Sequence, residues 1–540
     1  MRSKARWFYA VWLVLIGGFA VLHALNLRAD FPNHSPWWMD WAKYTDEGWY
    51  GNAAIRAHLF GSWYLAGDFN PAPAVPVWPF LEWILFHFTG VSAEAARGLA
   101  VAFFFANLVL SYLLLRRRVP KWAALLAITL MVTSPFLYSF SRLAILEPML
   151  TALTLAALNL AVRLPAFRRR LLASACIGVL FTLMMLTKTT AVFLLPALGW
   201  ALVRPLWSQR KVLVRCVAAA CGSFLVFFGA WMGVVMRAGL MPDYRYLFFV
   251  NKYPRPSELY WPLVSFWWSL HGGLWVDLLL FPLAGLLVVG TALAWASARA
   301  RALLLDPVFG ASVLAIGGYI LFMTYQDHPQ PRYYAVVAFF AFLVVAQGLA
   351  MLWGAGNELR GGASGGFSSP ARLAGLLAVV LTVAATCINA VWTLNYATHP
   401  EYTFADAAVR MTRYIDMHPN GRRMLVSVSS DEISLFSHVP SINDLFIAPN
   451  PQMVDLATKL QFYRPGWYAC WNQMDAGALE DLHSLYSVEQ VATFRAFDDP
   501  RRNVLVLFKL HPWPDGRVHD PADENLRIRF PEDRFEVPLE

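Results

Sequence analysis

The sequence predicts a polytopic α-helical membrane protein of about eleven transmembrane helices, with interfacial helices in the first outer loop and a small C-terminal α/β domain outside the membrane. Three observations carry that prediction. The 540-residue chain is 58% hydrophobic and 15% charged, with a mean hydropathy of +0.46, whereas soluble domains carry about 25% charged residues. Several apolar runs approach the roughly 20 residues needed to cross a hydrocarbon core. The basic residues fall in short clusters between those runs, which is what topology demands.

The first run, Trp7–Leu25, follows Arg2, Lys4 and Arg6. Its length and the lack of a small-residue cleavage site make it an anchor rather than a signal peptide. Further basic clusters stand at Arg116–Arg118 with Lys121, Arg163–Arg170, Arg204–Arg215, Arg299–Arg301 and Arg360–Arg372. If all face the cytoplasm, the spans between them are paired. They then fall near 95–115, 122–140, 143–163, 171–187, 189–207, 212–236, 273–297, 304–325, 333–353 and 372–395. This puts the N-terminus in the cytoplasm and the tail outside a cell membrane, inner or plasma. Val77–Phe88 is apolar but short and contains Glu82, so it reads as an interfacial helix on the outer surface.

Two domains follow: a membrane module over 1–397, with a first outer loop at 26–94, and an extracytoplasmic α/β domain over 398–540. The tail has strand-like runs at Met424–Val428 and Asn503–Phe508 and helix-like runs at Phe404–Met417 and Ala476–Tyr486. The Gly/Ser stretch 361–370 reads as a flexible inner loop. The net charge of +9 is spent on topology, so nucleic acid is excluded as a partner. The cysteines show neither a disulfide framework nor metal-type spacing.

This threading gathers the chain's unusual polar residues on the outer face: Asp46, Glu47, Arg142, Glu147, Lys188, Arg245, Arg255, Glu258, His271, Asp327, His328 and Arg332. Thr45 can cap a helix that opens with Asp46 and Glu47, on which Asp46 and Tyr50 share a face. Asp46 suits a general base for a hydroxyl. Glu47 suits either substrate binding or the start of the helix. Glu147 sits about a turn into the bilayer, where a lone acid costs a few kcal/mol unless it is paired or lines a wet cavity. Arg142, Lys188 and Arg332, the last followed by Tyr333, are cations at headgroup depth suited to a phosphate. No cofactor is required by the pattern. A divalent metal ion stays open, with the adjacent Asp327 and His328 as weak candidate ligands.

The motifs Asp46-Glu47-xx-Tyr50, Gly61-Ser-Trp63, Ser141-Arg142-xxxx-Glu147, Leu186-Thr-Lys188 and Arg332-Tyr333 resemble, in order and spacing, the GT-C-fold glycosyltransferases of family 39. That family includes protein mannosyltransferases and lipid A aminoarabinose transferases, and the likeness spans about residues 1–350. The resemblance implies a polyprenyl-phosphate-linked sugar donor and inversion at the anomeric carbon. The acceptor would be a lipid, a glycan or a protein, met among the membrane lipids. It also implies Asp46 as the first-loop aspartate, with Tyr50 its neighbour. Glu147 stands where many members have an aspartate. The family's Lys-Pro-Pro stretch is absent from NPAPAVPVWP, so the donor-phosphate contact falls to Lys188, Arg142 or Arg332. A transporter or flippase is the alternative. It predicts ionisable residues along a path at the bilayer midplane and paired halves of broken helices.

Overall fold

The computed structural model describes residues 2–250, 262–326, 329–361, 370–444, 455–471, 482–497, 503–515, 517 and 519. Arg255, Glu258, Asp327, His328 and 362–369 of the Gly/Ser stretch lie outside these. The membrane module begins with α1 (Arg2–Ala24), α2 (Asp46–Leu59), α3 (Val77–Thr89), α4 (Ala93–Leu115), α5 (Lys121–Thr133), α6 (Pro135–Phe140) and α7 (Glu147–Ala161). It continues with α8 (Arg170–Thr187), α9 (Leu195–Leu206), α10 (Arg210–Arg237), α11 (Pro262–His271), α12 (Leu280–Leu293), α13 (Pro307–Gln326), α14 (Tyr334–Gly361) and α15 (Pro370–Thr398).

Among the described residues, eight helices are long and apolar enough to cross a membrane. Three other expected spans form shorter apolar helices, at α5, α7 and α12. Two of these are short for local reasons. Ser134 precedes a proline and takes an extended conformation, ending α5; its hydroxyl then caps α6 at Leu137 N. Pro148 lies in the first turn of α7, whose start at Glu147 leaves 141–146 irregular.

The polar ends of the helices sort to opposite ends of the bundle. Arg118 pairs with Asp306 at 2.6 Å, Arg204 donates to the Leu305 carbonyl, and Arg170 donates to Gln209. These contacts join the basic loops at one end of the bundle. Glu147 at the start of α7 and Lys188 just past α8 lie at the other. At the centre runs α14, buried on every face from Tyr334 to Ala346, as its all-round apolar sequence demands.

Lipid tails are as apolar as leucine, so helices here are held by close packing and interhelical hydrogen bonds. A Cβ on Gly178 of α8 would stand 2.0 Å from the Ala220 carbonyl oxygen of α10. Trp12 bonds Thr129 across α1 and α5, and Thr393 bonds the Thr133 carbonyl. Replacing Gly178 by leucine should therefore part α8 from α10 and lower stability by about 1–3 kcal/mol, as overpacking does. Thermal unfolding in detergent measures it, and an unshifted midpoint would refute this contact.

The C-terminal unit contains α16 (Thr403–Met417), α17 (Ser430–Ser437) and α18 (Leu456–Tyr463) on a mixed five-stranded sheet. Its strands are β1 (Arg422–Val426), β2 (Ser441–Ile442), β3 (Pro465–Trp471), β4 (Tyr486–Arg495) and β5 (Val504–Pro512), in the order β2-β1-β3-β5-β4. The β2-β1-β3 part is parallel, and β5 runs antiparallel to both β3 and β4. The expected helix at Ala476–Tyr486 needs correction at its end: 476–481 lie outside the described residues, and Tyr486 opens β4. Tyr486 pairs there with Pro512, which sets an extended backbone where a helical reading had continued.

This unit is tied to the loop region between α1 and α4 by buried polar contacts. Thr403 Oγ1 and Phe404 N–H donate to Asp30 Oδ2, so the loop caps α16. Arg56 of α2 forks onto Asp431 at 3.2 and 3.0 Å and reaches Asp68 at 3.2 Å, while Lys459 meets Asp68 at 3.3 Å. Burial pushes the Asp30 carboxyl up to about 6 and that of Asp444, whose Oδ1 has no hydrogen-bond partner among the described residues, up to about 7. Both are raised above the unfolded value, so their stabilisation is complete below about pH 4 and is lost as pH rises through 6 and then 7. Asp444→Asn should thus flatten the fall in the domain's denaturation midpoint between about pH 5 and about pH 8. A slope equal to that of the unmodified protein would contradict this.

Candidate active site

Six of the eight residues singled out by sequence meet in one cluster at the end of the bundle away from the basic loops. Asp46 is 3% exposed at the first position of α2, whose start after Thr45 is as expected. Thr45 makes no capping bond to the helix; its hydroxyl donates instead to Asp46 Oδ1 and the Trp41 carbonyl. Asp46 Oδ2 lies 2.8 Å from Arg332 Nε. Arg332 sits in the 3-10 turn Pro331–Tyr333 that leads into α14. Its Nη1 donates to Asp40 Oδ1 at 2.9 Å and its backbone N–H to Asp40 Oδ2 at 2.8 Å.

The second half of the cluster is an ion pair. Lys188 Nζ stands 2.5 Å from Glu147 Oε1, and Glu147 is 0% exposed. Lys188 ends α8 at an extended residue, so its side chain turns back toward α7 instead of continuing the helix. Its ammonium also lies over two aromatic rings, Tyr50 at 5.4 Å and Tyr333 at 5.0 Å. Arg332 lies over the Tyr333 ring at 4.9 Å. The two tyrosines thus connect the Asp46–Arg332 pair with the Glu147–Lys188 pair. Behind Lys188, Thr190 shares a hydrogen bond with Tyr319 of α13 at 3.0 Å. Burial, with Asp46 nearby, pushes the Tyr50 hydroxyl well above its ordinary range, so it stays protonated and can donate.

The other two residues stand elsewhere. Glu47 is adjacent to Asp46 but points about 100° around the helix, where Arg97 grips both its oxygens at 2.7 and 2.6 Å and Ala144 N–H adds a third bond. It fastens α2 to α4 and to the turn before α7. Arg142 donates to the carbonyls of Leu25 and Asn26 and lies against the Tyr138 ring and hydroxyl. Glu82, the acid in the apolar helix α3, faces inward onto Gly51 of α2, where any Cβ would strike its Oε2. Burial raises its pKa well above the usual carboxyl range.

Asp40 is the site residue that sequence reasoning missed. Its signal is weak: an Asp-Trp-Ala turn, in which Oδ1 accepts from Ala42 N–H at 2.8 Å. The partner that gives it meaning, Arg332, is remote in the chain. As to a metal, Glu147 Oε2 is buried without a hydrogen-bond partner among the described residues and would suit one. Among the described residues, however, no three His, Cys, Asp or Glu side chains gather closely enough to hold an ion. Asp327 and His328 lie outside those residues.

Chemically, the cluster sets carboxylates beside two buried cations. An ammonium has three donors and a guanidinium five, more than the contacts above consume. The arrangement can accept a proton at one point and hold an anion at another.

The chain was compared with known proteins in sequence and in fold. The family model described as dolichyl-phosphate-mannose-protein mannosyltransferase matches residues 71–233, which include Arg142, Glu147 and Lys188. No curated protein sequence matches the chain. Its fold is similar to that of ArnT from Cupriavidus metallidurans bound to undecaprenyl phosphate, with a TM-score of 0.61 at 14% identity, over 92% of this chain and 98% of that one. It is also similar to the archaeal oligosaccharyltransferase AglB from Archaeoglobus fulgidus, in complex with an inhibitory peptide and a dolichol-phosphate. The TM-score there is 0.51 at 14% identity, over 89% of this chain and 73% of that one. The chain thus has the GT-C fold of membrane glycosyltransferases and resembles those of family 39.

Proposed function

We propose that the chain is an integral membrane glycosyltransferase. It moves a monosaccharide from a polyprenyl-phosphate donor to a lipid, glycan or protein acceptor on the extracytoplasmic face, with inversion. The observation that carries this reading is the meeting of Asp46, Arg332, Lys188 and Glu147 around Tyr50 and Tyr333. The polyprenyl phosphates held by the ArnT and AglB structures support the donor class. The N-terminus is then cytoplasmic, and the domain from about 398 onward faces outside, where it meets the acceptor.

In the proposed reaction Asp46 accepts the proton of the acceptor hydroxyl, whose oxygen forms the new bond to the anomeric carbon. The bond from that carbon to the phosphate oxygen breaks, and polyprenyl phosphate leaves with the electron pair. Lys188 and Arg332 neutralise the charge that builds on the leaving phosphate. Glu147 holds Lys188 in place, and Tyr50 donates a hydrogen bond to the reacting groups. Arg142 and Glu47 act from further out, the latter by fixing α2.

The test is transfer by the purified protein from isotope-labelled polyprenyl-phosphate sugars extracted from its host membrane. Label should move to a separate acceptor, with the anomeric configuration of the product opposite to that of the donor. Retained configuration would refute the single displacement, and no transfer from any such lipid would refute the enzyme.

A further inference from the structure

Helix α2 carries Asp46 and Tyr50, yet its own capping residue does not cap it. The bond comes from the far end of the chain: Gly48 N–H donates to Glu432 Oε2 at 2.9 Å, across 384 residues of sequence. Glu432 lies in the first turn of α17, is 0% exposed, and has its other oxygen, Oε1, without a hydrogen-bond partner among the described residues. The fit is tight. A Cβ on Gly48 would stand 2.1 Å from Glu432 N and 2.2 Å from the Asp431 carbonyl carbon. Only glycine lets the α17 backbone come this near. About two turns on, Arg56 of α2 forks onto Asp431, the residue beside Glu432. The tie is reciprocal, because Asp30 of the first loop caps α16 of the C-terminal unit.

We propose that Glu432 is a positioning residue for the transfer reaction: the extracytoplasmic domain caps the site helix from outside that helix and so fixes Asp46 against Arg332. This rests on the functional reading above and extends it, since the C-terminal domain then completes the catalytic geometry as well as meeting the acceptor. Burial, with Glu47 nearby, pushes the Glu432 carboxyl well above its usual range. A neutral carboxyl still accepts the Gly48 N–H through its carbonyl oxygen, so glutamine is its conservative replacement.

The experiment compares Glu432→Ala, Glu432→Gln and Gly48→Ala in the full chain, by amide hydrogen exchange and by transfer from labelled polyprenyl-phosphate sugars. Glu432→Ala should speed exchange over residues 46–52, leave β1 and β3 protected, and cut transfer by about tenfold to a hundredfold. Binding of undecaprenyl phosphate, the donor-site probe, should stay within about twofold, so that the loss falls on kcat. Glu432→Gln should restore both exchange protection and transfer. Gly48→Ala should lose transfer even though alanine is the better helix former. Unchanged exchange at 46–52 in Glu432→Ala would overturn the cap, and faster exchange with full transfer would overturn its role in positioning. If the unmodified protein transfers nothing, the functional reading and its positioning role fail together, while the exchange data still decide the cap.

Discussion

Asp46→Asn is expected to lower sugar transfer by about two to four orders of magnitude, the range for removing a positioned general base. The asparagine keeps the size of the side chain and can still accept from Thr45. It cannot take a proton and no longer balances Arg332, which retains Asp40. The loss should therefore fall on the chemical step, with undecaprenyl phosphate still bound and the unfolding midpoint nearly unchanged. Single-turnover transfer separates these. Full transfer by Asp46→Asn would remove Asp46 from the mechanism. Loss of both transfer and fold would assign it a structural role alone.

The second large effect concerns the buried pair. Lys188→Met leaves the Glu147 carboxylate buried with no counter-charge, which typically costs about 3–5 kcal/mol. The protein should lose both stability and transfer. Glu147→Gln/Lys188→Met removes both charges at similar volume, and buried pairs replaced in this way are often neutral in stability. The double variant should thus regain most of the unfolding midpoint while transfer stays low, because Arg332 alone is left to meet the phosphate. Thermal unfolding with parallel transfer assays reads this cycle. A single Lys188→Met variant as stable as the unmodified protein would contradict the pair, and a double variant with restored transfer would contradict the cationic role.

Much of this was legible in the sequence, for reasons that can be named. The spans and their polar ends follow from apolar length and basic clusters, and that threading alone put Asp46, Glu147, Lys188 and Arg332 on one side. The start of α2 at Asp46 was written in Thr45-Asp46-Glu47. What the sequence could not show was direction. Neighbouring acids on a helix point about 100° apart, so Asp46 went to Arg332 while Glu47 went to Arg97 and the turn at Ala144. Arg142 looked as eligible as Lys188, but it folds back onto the Leu25 and Asn26 carbonyls.

The rest depended on long-range pairing. Asp40 gains its role from Arg332, and the cap on α2 comes from Glu432; neither link leaves a local pattern. In the C-terminal unit the ordinary polarity gave strands at two places, while β3, β4 and α17 were hidden. The strand β3 is buried along its whole length and so shows no alternation. A fully buried strand and a short buried helix read alike from one sequence.

One measurement tests the central claim, that this outer-face cluster breaks a sugar–phosphate bond instead of carrying a lipid across. The purified protein is placed in sealed liposomes with acceptor extracted from its host membrane and polyprenyl-phosphate sugars labelled in both the sugar and the lipid phosphate. The account predicts one polyprenyl phosphate released for each sugar transferred, with release abolished by Asp46→Asn. Intact donor appearing in the opposite leaflet, with both labels still joined, would contradict it and identify a flippase.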